Sequence, residues 1–200
     1  MEPRPKTLPY LREKDEDSRT TTFEQGVIAA LVSLFSNIPG DIAEVGVFKG
    51  HSARVICEYK KNKNLYLFDN FEGGIPEQKW NEIDAIGTQP ESLDSMLADV
   101  ERFLEKYPGV RFIKGVFPES AREEKELREN EYSFVHLDCD LYQTTLDALN
   151  FFYPRIKKGI ILIHDYPALD GVKKAVDEFI EKNPRLTLIQ FTELQAGIIL

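Results

Sequence analysis

The sequence predicts an α/β fold: a mostly parallel sheet with helices on both faces, ended by an antiparallel hairpin. Three observations predict it. Short apolar runs alternate with stretches of helical periodicity along most of the chain, the pattern of a sheet built by crossover connections. Runs such as Phe134-Val135-His136-Leu137 are too continuously apolar for a strand with one wet face and suit the middle of a sheet. The last two runs are separated by only Thr-Glu-Leu-Gln-Ala, a connection that fits a hairpin and not a crossover.

Taken in order, residues 1–22 are polar, charged and proline-bearing and read as an N-terminal arm. From Phe23 to Phe35, Val27, Ile28, Leu31, Val32 and Phe35 recur at spacings of three and four, so a packing helix is expected, closed by Ile38-Pro39-Gly40. Strands are expected at 41–46, 64–69, 110–115, 132–138 and 159–165, and helices at 51–61, 92–106, 119–129, 142–153 and 170–182. The hairpin strands fall at 185–191 and 197–200. Ser120 with Glu123 reads as a capping box, and Asp170 as the cap of the last helix. Residues 71–92 carry no clear element and leave the carboxyl end of the second strand, where open α/β sheets bind ligands, so they read as a lid. Residues 23–200 form a single domain in this reading.

Composition excludes several classes. A net charge of -9 opposes binding to a phosphate backbone, which rests on Lys and Arg neutralising it. Mean hydropathy is -0.34 and no apolar run approaches the roughly 18 residues of a bilayer span, so no membrane is expected. The first residues lack an apolar stretch followed by small residues; the expectation is a cytoplasmic protein with Cys57 and Cys139 reduced.

Chemistry concentrates at strand ends. The first strand runs into Glu44-Val45-Gly46-Val47-Phe48-Lys49-Gly50-His51-Ser52 and a helix. Gly46 permits a sharp turn, Gly50 permits close approach of a ligand, and the helix start offers amide donors to an anionic group. The spacing is not G-x-G-x-x-G, so the dinucleotide fingerprint fails. Asp69 ends the second strand, where such folds place an acid against ribose hydroxyls; as a bland alternative it caps a turn with Asn70. Asp138 and Asp140 end the fourth strand two positions apart, on one face of an extended chain, and His164-Asp165-Tyr166 end the fifth. Neighbouring strands in register would gather these groups, and a cation would explain the gathering: Mg²⁺ or Mn²⁺ for the carboxylates, with a ligating histidine favouring manganese or a later ion. Asp140 has a second reading, as the N-cap of the helix in Asp140-x-x-Gln143. His136 reads as a core histidine, and Cys139 should face away from the acids into packing.

In IPGDIAEVGVFKGHSA, LYLFDNFEGG, VRFIKGVFPES, FVHLDCDLYQTT and GIILIHDYPALDGVKKAVDEF, the sequence resembles the macrocin O-methyltransferase (TylF-type) branch of class I S-adenosylmethionine-dependent methyltransferases, over roughly residues 23–180. The resemblance implies the Rossmann-like class I methyltransferase arrangement, a mostly parallel seven-stranded sheet with the hairpin added beyond the fifth strand. It implies that Glu44, Gly46 and Gly50 line the methionine part of S-adenosylmethionine, that Asp69 holds the ribose, and that Gly115 with Phe117 lies near the adenine. Ser52, Asn70 and Asp138 are expected as further cofactor contacts. It implies a divalent metal, usually Mg²⁺, on Asp138 and Asp165, with His164 standing where sugar-modifying members have a second acid. Asp140 becomes a candidate base or acceptor contact, with Asp138 beside it in the catalytic set.

The expected function is methyl transfer from S-adenosylmethionine to a hydroxyl of a small molecule, such as a sugar or natural product, assisted by the metal. Phe71, Trp80 and Tyr142 are expected acceptor walls. Relatives assemble through N-terminal elements, which makes a homo-oligomer an expectation. The rival readings are a non-catalytic S-adenosylmethionine-binding homologue, suggested by His164, and a nicotinamide-dependent oxidoreductase, disfavoured by the missing glycine fingerprint.

Overall fold

The computed structural model describes residues 20–72 and 96–200. Seven strands form one sheet in the order β3-β2-β1-β4-β5-β7-β6. They are β1 Asp41–Val45, β2 Leu65–Asp69, β3 Val110–Lys114, β4 Tyr132–Leu137, β5 Ile160–His164, β6 Thr187–Gln190 and β7 Gln195–Ile199. β1 to β5 pair in parallel. β7 runs antiparallel to both β5 and β6, so the expected hairpin inserts its second strand next to the sheet and leaves β6 at the edge. The order reverses between β1 and β4, the switch point outside whose carboxyl ends such sheets bind ligands.

The helices are α1 Thr22–Phe35, α2 His51–Tyr59, α3 Met96–Leu104, α4 Glu119–Glu123, α5 Lys125–Glu129, α6 Tyr142–Phe152 and α7 Asp170–Lys182. Alternation along the strands divides the core. Ile42, Phe134 and Leu162 point to the face covered by α1, α2 and α3, while Ala43, Val135 and Ile161 point to the face covered by α4 to α7. All six residues of β4 are buried, as a central strand requires. On the second face, Phe152 is fully buried and meets Tyr132 and Phe151 at ring centroid distances of 5.0 Å and Phe117 at 5.8 Å. Phe152→Ala is therefore expected to cost about 3–5 kcal/mol, read as a lower denaturant midpoint at unchanged slope.

Three local expectations are corrected. The helix expected over 119–129 is broken at Glu124, whose φ of -96° and ψ of 117° are extended, so two short helices replace it. The Ser120–Glu123 capping box does not form, because the N-cap falls two residues earlier: Pro118 occupies that position, its carbonyl accepts from the Ala121 and Arg122 amides, and Ser120 Oγ is buried without a partner. Asp170 does not cap α7 either, being the first residue of that helix with Leu169 in the cap position.

α1 begins at Thr22 with a reciprocal box: the Glu24 amide donates to Thr21 Oγ1 at 3.3 Å and the Thr21 amide to Glu24 Oε2 at 2.7 Å. The arm up to residue 19, and the lid from residue 73 with Trp80, lie outside the described residues. Among the described residues no helix is long and apolar enough to cross a membrane. Cys57 is buried, Cys139 half-buried, and both are free thiols.

Candidate active site

The turn between β1 and α2 is built around a carboxylate. Asp69, the last residue of β2, accepts from the Val47 and Phe48 amides on Oδ2, at 2.7 and 3.0 Å, and from the Phe71 amide on Oδ1 at 2.7 Å. A chain reversal that would leave amides unpaired is held by one side chain. Asn70 Oδ1 accepts from the Glu72 amide at 3.0 Å, which fixes the exit from β2. α2 has no side-chain cap, since its N-cap is Gly50 at φ 81°, and an uncapped helix start of this kind can receive an anionic group.

Gly46 has a stricter reason to be glycine than a turn. Its φ is 85°, and a Cβ there would lie 1.8 Å from the main-chain oxygen of Asp138. The glycine turn and the end of β4 thus pass in backbone contact. At Gly50 a Cβ would meet Val100 Cγ1 of α3 at 2.9 Å; the close neighbour is a packing side chain. Gly115, at φ 139°, leaves room for Ser120 Cβ at 3.0 Å from the same notional atom.

Beside Gly46, β4 and β5 deliver the acid cluster. Leu137 pairs with Ile163 in the parallel register, so Asp138 falls beside His164. His164 Nδ1 lies 3.2 Å from Asp138 Oδ1 and 3.1 Å from Asp165 Oδ2, yet it is buried and aligned as a hydrogen bond with neither. One ligating atom from each of these three residues lies within 4.8 Å of the others. Two carboxylates converging on a buried nitrogen without an aligned bond suit a divalent cation with oxygen and imidazole ligands, Mg²⁺ or more naturally Mn²⁺.

The electrostatics follow from that crowding. Burial works to lower the His164 pKa, but Asp138 and Asp165 outweigh it and lift it to about 11. Burial pushes Asp138 upward, and the facing His164 and nearby His136 more than offset this, leaving it below its ordinary value. Asp140 is pushed up to about 8 by burial first, then by Asp138 and Asp165, with which it shares a hydrogen bond. Asp140 does not cap α6. Its φ of 60° is left-handed, as is that of Asp165 at 59°, and Leu141 takes the cap position. The chain turns there so that Asp140 looks back at Asp165, a conformation that aspartate tolerates better than most residues.

Under this rim sits a second buried pair. His136, fully buried as expected of a core histidine, binds Glu44 Oε1 through Nδ1 at 2.8 Å. Glu44 is itself fully buried; burial raises its carboxyl pKa, and the His136 bond only partly offsets this. Ser52 is buried nearby on α2. Cys139 turns away from the acids toward Thr145, with Sγ 3.5 Å from Oγ1.

The remaining site residues are placed differently from expectation. The Phe117 ring packs edge-on to Phe68 and Phe151, each at 5.5 Å, so only its main chain is left for a ligand. Phe71 is no acceptor wall: it is 3% exposed and packs on Phe112 in the core. Tyr142 is tied to α7, its hydroxyl donating to Glu178 Oε2 at 2.8 Å and its ring lying 4.4 Å from Lys174 Nζ. A residue missed in the sequence, Glu24 of α1, reaches the cluster with Oε1 3.8 Å from His164 Nε2. Its capping signal, Thr21-x-x-Glu24, was legible; its approach to a histidine 140 positions on was not.

Comparison with known proteins bears on the family and the fold. The macrocin-O-methyltransferase (TylF) family model matches residues 19–189. The 8-demethyl-8-(2,3-dimethoxy-alpha-L-rhamnosyl)-tetracenomycin-C 4'-O-methyltransferase of Streptomyces olivaceus is 28% identical over 162 residues, 73% of this chain and 60% of its own length. The demethyldecarbamoylnovobiocin O-methyltransferase of Streptomyces niveus is 27% identical over 161 residues, 72% of this chain and 59% of its own. The chain thus spans about 60% of the length of these curated relatives. Among solved structures, the O-methyltransferase NovP superposes with a TM-score of 0.76 at 22% identity, covering 95% of this chain and 85% of that one. An O-methyltransferase from Bacillus cereus, solved in complex with SAH, gives 0.65 at 12% identity, covering 90% and 82%. At these identities the structures establish the fold.

Proposed function

The chain belongs to the macrocin O-methyltransferase family, and from that premise we propose that it transfers the methyl group of S-adenosylmethionine to a hydroxyl of a small molecule, a sugar or natural product, at a site that takes a divalent ion. The observation that carries the reading is the backbone contact between Gly46 and Asp138. It sets the turn expected to hold the donor directly against the cluster suited to hold the acceptor.

On this reading Gly46 and the open start of α2 receive the methionine carboxylate, with Glu44, Gly50 and Ser52 around it. Asp69 and Asn70 face the ribose, where Asp69 keeps acceptor capacity beyond its three amide bonds. Gly115 and the Phe117 main chain border the adenine. Asp138, Asp165 and His164 would hold the ion. When bound, the ion supplies the positive charge that acidifies an acceptor hydroxyl and fixes its direction. Asp140 takes the proton as the O–CH₃ bond forms and the S–CH₃ bond breaks; burial first, and then Asp138 and Asp165, raise its proton affinity. The chain's charge of -9 favours a small acceptor over a nucleic acid, and we place the protein in the cytoplasm, as a possible homo-oligomer.

One observation favours a second reading. A protonated His164 already supplies a positive charge between Asp138 and Asp165, which would let the pocket bind its cofactor without metal and without turnover. Labelled methyl transfer to a panel of sugar and phenolic hydroxyls decides between the two. The first reading expects transfer that is lost with chelator and restored by Mn²⁺ or Mg²⁺. Transfer indifferent to chelator removes the ion from the scheme, and binding of S-adenosylhomocysteine with no transfer to any acceptor supports the second reading.

A further inference from the structure

His164 has two buried ring nitrogens, and neither makes an aligned hydrogen bond. The environment of Nδ1 is the pair of carboxylates assigned above to the ion. Nε2 points the other way, and the carboxylate oxygen it approaches is Glu24 Oε1 at 3.8 Å. Glu24 is 4% exposed, and its two oxygens divide their work. Oε2 takes both Thr21 bonds, from the amide at 2.7 Å and from Oγ1 at 2.8 Å. Oε1 has no part in that cap. A capping box needs one oxygen; burying the second beside an imidazole is not explained by capping.

We propose that Glu24 is a positioning residue for the ion site: its Oε1 accepts the Nε2–H of His164 and so presents Nδ1 to the ion shared with Asp138 and Asp165. The inference rests on the metal reading above and goes beyond it to a residue outside the three ligands. An imidazole that ligates an ion is neutral and carries one ring proton, and that proton needs an acceptor on the nitrogen facing away from the ion. With Nε2–H given to Glu24, the Nδ1 lone pair faces the cluster; without that acceptor, the proton moves to Nδ1, where two carboxylates attract it, and the ligand is lost. An N–H···O bond sits near 2.9 Å, so Oε1 and Nε2 must close from 3.8 Å by about 0.9 Å. Outer-shell partners of this kind typically change metal affinity by 10–100-fold. The arrangement also ties the ion site to the first turn of α1.

The test is Mn²⁺ titration, followed by the electron paramagnetic resonance of free Mn²⁺, of the full chain and of Glu24→Ala, Glu24→Gln and Thr21→Ala. Glu24→Ala should bind Mn²⁺ about 10–100-fold more weakly. Glu24→Gln keeps an acceptor oxygen and should recover most of the affinity. Thr21→Ala breaks the cap but spares Oε1, so it should melt earlier and bind as the wild type does. Wild-type affinity in Glu24→Ala, or an equal loss in Thr21→Ala, overturns the proposal by reducing Glu24 to a helix cap. If His164→Ala leaves the Mn²⁺ titration unchanged, the metal reading fails separately. The imidazole ¹⁵N–¹H spectrum then judges Glu24 alone: a bonded Nε2–H that disappears in Glu24→Ala or shifts in Glu24→Gln upholds its positioning role, and spectra identical to wild type overturn it.

Discussion

Gly46→Ala should be the most damaging single methyl group that can be added to this protein. The new Cβ would fall 1.8 Å from the Asp138 main-chain oxygen and 2.6 Å from its carbonyl carbon, at a residue whose φ is 85°. No side-chain rotation relieves a clash between two backbones, and the left-handed conformation adds its own cost. A loss above about 4 kcal/mol is expected, in the range reserved for specific structural conflicts, with Mn²⁺ and S-adenosylhomocysteine affinity falling together. Gly109→Ala makes the comparison. Gly109 also has a positive φ, 71°, but its nearest obstacle is the Asn64 side chain at 3.2 Å, so about 1–2 kcal/mol and an intact site are expected. Equal, small losses at both positions would show that Asp138 does not depend on Gly46 for its place.

Asp138→Asn tests the cluster with almost no change of volume. The substitution removes the carboxylate that lies beside His164 in the β4–β5 register and leaves the other partner buried, a situation that penalises the site more than removal of both. Methyl transfer should fall at least about a thousandfold, equivalent to roughly 4 kcal/mol of lost stabilisation. S-adenosylhomocysteine affinity should change far less, because the donor pocket proposed above draws mainly on the β1–α2 turn and Asp69. A parallel collapse of donor binding would mean that Asp138 serves the cofactor first and the acceptor second.

The layout of the sheet was legible because parallel strands buried on both faces leave an unambiguous apolar signature, and β4 is apolar enough to demand a central place. The cluster was legible for a related reason: Asp138 and His164-Asp165 end adjacent apolar runs, and a parallel register brings such ends together. What the sequence hid was local backbone choice. Asp140-x-x-Gln143 has a capping spelling, yet Asp140 adopts φ 60° and turns to Asp165, a preference set by the crowded rim and not by its neighbours in sequence. Ser120-x-x-Glu123 fails because Pro118 starts the helix first. Phe71 and Phe117 sit where the sequence suggests ligand contacts, but each ring is claimed by the core. Glu24 could be read as a cap; its second oxygen meets His164 only through packing of α1 on the sheet, and no short-range pattern encodes that meeting.

On the proposed function, one rim of the sheet binds a methyl donor beside an ion held by side chains from two adjacent strands. Anomalous diffraction at the manganese edge, from crystals grown with S-adenosylhomocysteine and Mn²⁺, addresses it directly. A single strong peak is expected within coordinating distance of Asp138, Asp165 and His164 Nδ1, with the cofactor sulfur facing it across the Gly46 turn. A cofactor bound in that turn with no manganese peak at the cluster, or a peak elsewhere on the chain, would contradict it.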